Sequence, residues 1–98
     1  RYGGEEFAAI LPGASPAEAL DVAEAMRASV EALALSSPAP DGRVTVSIGA
    51  ARLTEIDSDA GQRLIERADE ALYDSKRAGR NRVTAAWPVD EAARQVIR

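Results

Sequence analysis

A chain of 98 residues with neither cysteine nor histidine has length for one small domain. It excludes disulfides, thiolate zinc centres, thiol nucleophiles and imidazole bases within these residues. The net charge of −4 argues against a nucleic-acid partner, so any phosphate must be met by a local cluster of Lys and Arg.

No apolar run reaches the 18 or so residues of a membrane span, and no signal peptide leads the chain, so no membrane contact by this segment is expected. Alanine accounts for 21 residues, which leaves 24 large apolar side chains for a core. Alanine buries little area, so the core is thin for a free-standing domain. The chain also starts without Met, inside an ordered motif. Both features lead us to expect a piece of a larger unit.

In chain order, residues 2–11 are predicted as the end of one strand, a turn at Gly3-Gly4 and a second strand, Phe7-Ala8-Ala9-Ile10-Leu11. The second strand is continuously apolar, as for one covered on both faces, and Pro12-Gly13 stops it. Ser15-Pro16-Ala17-Glu18 is a helix start with a capping box and proline at the first helical position. Ala19, Leu20, Val22, Ala23, Met26, Val30 and Leu33 then give one apolar face to about residue 35. Residues 36–42 read as a loop.

Val44, Val46, Ile48 and Ala50 alternate with Thr45, Ser47, Gly49 and Ala51. This is a half-buried strand whose small face lets a helix or another backbone approach closely. A helix is predicted from about residue 60, with Leu64, Ile65, Ala68, Ala71 and Leu72 as its stripe and Tyr73 at the edge. Gly79 ends it after Lys76 and Arg77, whose charges suit a helix C-terminus. Residues 81–86 are predicted as a last short strand, and 90–98 as a terminal helix. The division is therefore 1–86 as the domain part and 87–98 as an extension.

Two clusters carry chemistry. Glu5 and Glu6 are adjacent carboxylates after a glycine turn, where a ligand can come close to the backbone. By itself this reads first as an ordinary exposed hairpin tip. Lys76 and Arg80 lie four apart across the end of a helix, a spacing able to grip a phosphate. Taken alone they equally complement the helix dipole. Asp69 is within reach, in this reading, of pairing with Arg80 to orient the Gly79 loop.

Together the motifs resemble the GGDEF family of diguanylate cyclases. Arg1-Tyr2-Gly3-Gly4-Glu5-Glu6-Phe7 matches its signature in the GGEEF form. Val44-Thr45-Val46-Ser47-Ile48-Gly49 is similar to its following strand. The run from Ala68-Asp69-Glu70-Ala71-Leu72-Tyr73 through Lys76, Gly79, Arg80 and Asn81 resembles its last helix and loop. The resemblance implies an α+β, layered, palm-like domain with a mostly antiparallel central sheet flanked by helices. It also implies a homodimer in which two domains meet head to tail and condense two GTP into cyclic di-GMP, releasing two pyrophosphates.

By position in the motif, Glu5 is then the metal carboxylate and candidate base, and Glu6 assists at the metal or the hydroxyl. The sequence leaves the division between the two open. Gly3 and Gly4 let the nucleotide lie against the turn, and Lys76 and Arg80 hold its terminal phosphates. The cation is Mg2+, with Mn2+ as the alternative, and the compartment is the cytoplasm, where GTP is. The family's first strand with its metal Asp, its guanine-reading Asn and Asp, and its RxxD product site would all fall before Arg1. The expectation is therefore the C-terminal part of such a domain, with N-terminal strand and helices missing and inactive by itself. It is either covered through swapping, dimerisation or contacts with neighbouring molecules, or part of a longer chain that supplies the missing elements. The other reading is a silent GGDEF domain that senses GTP or cyclic di-GMP.

Overall fold

The structure is a computed structural model that describes residues 6–37, 42–53 and 58–87. The first helix, α1 (Pro16–Ala32), starts as its sequence dictates. The Ser15 hydroxyl accepts from the Glu18 amide at 3.1 Å, and the Glu18 carboxylate accepts from the Ser15 amide at 3.0 Å. Its apolar stripe is wider than the surface it meets. Leu20 and Ala23 are buried, whereas Val22, Met26 and Leu33 stay exposed.

Two short strands, β1 (Ile48–Ala50) and β2 (Val83–Ala85), pair in parallel with Gly49 opposite Thr84. The ladder is lengthened at both ends, by the Ile48 amide on the Arg82 carbonyl at 2.9 Å and the Ala86 amide on the Ala50 carbonyl at 2.8 Å. The α+β class stands, but this pairing departs from the mostly antiparallel sheet expected. The cause is the connection: α2 (Ala60–Arg77) carries the chain back along the sheet, so the next strand enters in the same direction. Antiparallel contact among the described residues is confined to the bridge between Ser36 and Arg43. That bridge closes the stretch read as a plain loop.

The predicted strand at 7–11 does not form, and Phe7 and Ile10 are 78% and 85% exposed. A strand exists only through a ladder partner, and the described residues offer this segment none. The strand read at 44–51 shrinks to β1 for the same reason. Residues 1–5 and 88–98 lie outside the described residues, and with them the turn predicted at Gly3-Gly4 and the helix predicted at 90–98.

The core lies where α2 crosses the sheet. Ala60 and Ala71 are buried, and Ser75 is fully buried. The Ser75 hydroxyl sits 2.8 Å from the Ile48 carbonyl and 2.6 Å from the Thr84 hydroxyl. With one proton to give, it donates to the carbonyl and accepts from Thr84, tying α2 to both strands.

Candidate functional site

The C-terminal end of α2 presents the two predicted phosphate-gripping cations. Lys76 is half-buried in its last turn, and Arg80 stands exposed just past the cap. The turn between them is a Schellman motif. The Arg80 amide donates to the Ser75 carbonyl at 2.9 Å, and the Gly79 amide to the Lys76 carbonyl at 3.4 Å. Gly79 at φ 125 meets the conformation that only glycine takes without strain. Arg80 and Asn81 follow at φ 66 and 49, so three residues in succession are left-handed.

Arg77 does not join the pair: its guanidinium lies 5.5 Å from the centre of the exposed Tyr73 ring. The predicted Asp69–Arg80 pair does not form either. About 12 Å of helix axis separates Asp69 from Arg77, the last residue before the cap. The loop is held from α1 instead.

There the Arg27 guanidinium, its side chain 15% exposed, forks onto the Glu24 carboxylate through Nε and one terminal nitrogen. Its other terminal nitrogen reaches Glu31 at 3.3 Å and the Asn81 side-chain oxygen at 2.9 Å. The Asn81 side-chain nitrogen donates to the second oxygen of Glu31, and the Asn81 amide to the Ser47 hydroxyl at 3.1 Å. Sequence reasoning passed over Arg27, Glu31 and Asn81. The available signals were the Glu24-x-x-Arg27-x-x-x-Glu31 spacing on one helix face and an asparagine, tolerant of left-handed backbone, after Gly79.

This network sets the local electrostatics. Hydrogen bonding from Arg27 holds the Glu24 carboxyl below the ordinary carboxylate range. Glu31 is lowered first by Asn81 and then by Arg27, and Glu18 is lowered by the Ser15 amide and hydroxyl. Each folded value lies below the unfolded one, so the unfolded chain binds protons more readily. The stabilisation is complete above the unfolded value of about 4.3 and is lost as pH falls through the folded values. Unfolding followed from pH 7 to pH 3 is therefore expected to show stability falling below about pH 5. Glu31→Gln should flatten part of that slope, and a slope unchanged in the variant would contradict the assignment.

Of the acidic turn, Glu6 is described, half-buried at the start of the described chain. Gly3, Gly4 and Glu5 lie outside the described residues. Among the described residues no group of three or more carboxylates converges on a metal position. The donor chemistry of the turn, two adjacent carboxylates, still suits a hard cation. An open groove of about 220 Å3 beside β2, lined by Arg67, Glu70, Ala71, Asp74, Ala85 and Ala86, holds none of the predicted site residues. Among the described residues no helix is long and apolar enough to cross a membrane.

The profile of the family described as "Diguanylate cyclase, GGDEF domain" matches residues 1–82. Diguanylate cyclase A of Treponema denticola is 45% identical over 84 residues, covering 86% of this chain and 22% of that protein. Diguanylate cyclase VdcA of Vibrio cholerae is 44% identical over 86 residues, covering 85% of this chain and 25% of that protein. The crystal structure of the GGDEF domain of DgcB from Caulobacter crescentus, in complex with c-di-GMP, superposes with a TM-score of 0.74 at 44% identity. It covers 88% of this chain and 51% of that one. The chain thus spans no more than a quarter of these two curated relatives and about half of the solved domain. With signature, helix and loop matched in order over residues 1–82, the chain belongs to the GGDEF domain family of diguanylate cyclases.

Proposed function

We propose that this chain supplies the acidic turn and the phosphate clamp of a diguanylate cyclase that condenses two GTP into cyclic di-GMP. The observation that carries the reading is the end of α2. There Lys76 and Arg80 flank a cap held by backbone hydrogen bonds, and among the described residues neither side chain has an ion-pair partner. Two cations on a fixed turn are what a triphosphate tail requires, with Arg offering a fork and Lys a point charge. The names of the relatives and the c-di-GMP in the solved domain support the same chemistry.

In this reading the 3′-hydroxyl of each GTP attacks the α-phosphorus of the other. At each α-phosphorus one P–O bond forms and the bond to the leaving pyrophosphate breaks, while the attacking hydroxyl's proton passes to a carboxylate of the turn, Glu5 or Glu6. Gly3 and Gly4 leave room for the nucleotide, while Lys76 and Arg80 neutralise the departing pyrophosphate. Mg2+ or Mn2+ held by Glu5 and Glu6 would supply charge neutralisation at the phosphates. Each product needs two GTP held face to face, so the working unit is a head-to-tail homodimer, in the cytoplasm where GTP is available.

The test is turnover of GTP to cyclic di-GMP by the complete protein. Lys76→Ala is expected to raise KM for GTP about ten- to a hundredfold, the loss of one charge-assisted contact of about 1.5–3 kcal/mol. An unchanged KM would return Lys76 to a purely helix-terminal role.

A further inference from the structure

The Arg80 backbone is over-determined while its side chain is free. A left-handed conformation strains a residue other than glycine, and here Arg80 and Asn81 both adopt it. Glycine at either position would avoid that strain. The chain instead places two larger residues there, and the structure accounts for only one of them. Asn81 is fully engaged: its side-chain oxygen accepts from Arg27, its side-chain nitrogen donates to Glu31, and its amide donates to Ser47. Arg82 reaches back from the other side, its Nε donating to the Arg80 carbonyl at 3.1 Å. The Arg80 guanidinium has no hydrogen-bond or ion-pair partner among the described residues.

We infer that Asn81, clamped by Arg27 and Glu31, is a positioning residue that fixes Arg80, so that α1 sets the grip on the terminal phosphates of GTP. The inference rests on the phosphate role proposed above for Lys76 and Arg80. The residue type follows from the surroundings. The group between a guanidinium and a carboxylate must accept from one and donate to the other, and it must tolerate a left-handed backbone. An asparagine side chain meets all three conditions. The ties run 54 residues back to Arg27 and 50 back to Glu31, so a change in α1 is transmitted directly to the loop that carries the cation. Strain held in place by its surroundings, beside a charged group left free, is the pattern of a pre-organised binding residue.

A double-mutant cycle tests this in the complete protein, reading KM for GTP and the dissociation constant of inorganic pyrophosphate. Asn81→Gly keeps the backbone conformation accessible and removes the side-chain ties. It is expected to weaken pyrophosphate binding and raise the GTP KM about tenfold, a typical charge-assisted contact. Combined with Arg80→Ala it should cost nothing beyond Arg80→Ala alone, because a positioning residue acts only through what it positions. Multiplicative losses in the double variant, or parental binding in Asn81→Gly, would overturn the inference while leaving the phosphate clamp in place. Parental binding in Arg80→Ala would remove the clamp reading itself, and the inference with it. Should Asn81→Gly fail to fold, the same cycle is run with Asn81→Asp. That variant keeps left-handed tolerance and the Arg27 contact but sets a second carboxylate against Glu31.

Discussion

Gly49→Ala is expected to cost at least about 3 kcal/mol, or to prevent folding altogether. A Cβ at this position would collide with the Leu72 amide nitrogen and the Ala68 carbonyl oxygen, and would lie 2.7 Å from the Leu72 Cα. These are backbone atoms of α2, so no side-chain rotation relieves the clash; the helix itself must lift from the sheet. Lifting it would open the Ser75 contacts to Ile48 and Thr84 and uncover Ala71, and together these form much of the small core. Gly61 provides the internal control. It lies in the first turn of the same helix, and a Cβ there meets nothing within 4 Å. Gly61→Ala should therefore stabilise by about 0.5–1 kcal/mol through helix propensity. Urea unfolding of the two variants against the parent gives both signs in one experiment. A Gly49→Ala protein as stable as the parent would mean that α2 does not pack on β1 at this distance.

The close approach at Gly49 was legible in the sequence, because the Thr45, Ser47, Gly49 and Ala51 face carries only small groups. So was the start of α1: Ser15, Pro16 and Glu18 each act within one helical turn, and such local chemistry survives any tertiary context. The Gly79 stop was legible on the same grounds. What escaped depends on partners far along the chain. Alternation in residues 44–51 describes a strand that could pair throughout, yet only Ile48–Ala50 meets β2, and in parallel. Apolarity in Phe7-Ala8-Ala9-Ile10-Leu11 describes a strand awaiting neighbours. The tie from Arg27 to Asn81 is the clearest case. Each residue has a bland local explanation, an ion-paired helix face for one and a loop asparagine for the other. Only the folded arrangement, with α1 lying on the two strands beside the loop that follows α2, reveals that they share a bond.

The largest effect on turnover is expected from Glu5→Gln in the complete protein, a fall in cyclic di-GMP formation of at least about a thousandfold, equivalent to roughly 4 kcal/mol. The substitution is nearly isosteric and exchanges a charged carboxylate for a neutral amide. Three properties of the proposed step depend on that carboxylate. It attracts the divalent cation, which an amide oxygen binds far less strongly. It favours loss of the hydroxyl proton, for which glutamine offers no basic group. Through the cation it would hold, it also brings positive charge to the reacting phosphates, in addition to that of Lys76 and Arg80. Folding should be little changed, because among the described residues the core is built by α1, α2 and the two strands, and the parent and variant should melt together. Glu6→Gln in parallel separates the two carboxylates. If Glu5 carries both metal and proton, the Glu6 variant retains more activity than the Glu5 variant, and equal losses mean the two act as one unit. Turnover near the parental rate in Glu5→Gln, with cyclic di-GMP still made, would remove Glu5 from the reaction and leave the Lys76 and Arg80 clamp as the surviving part of the proposed site.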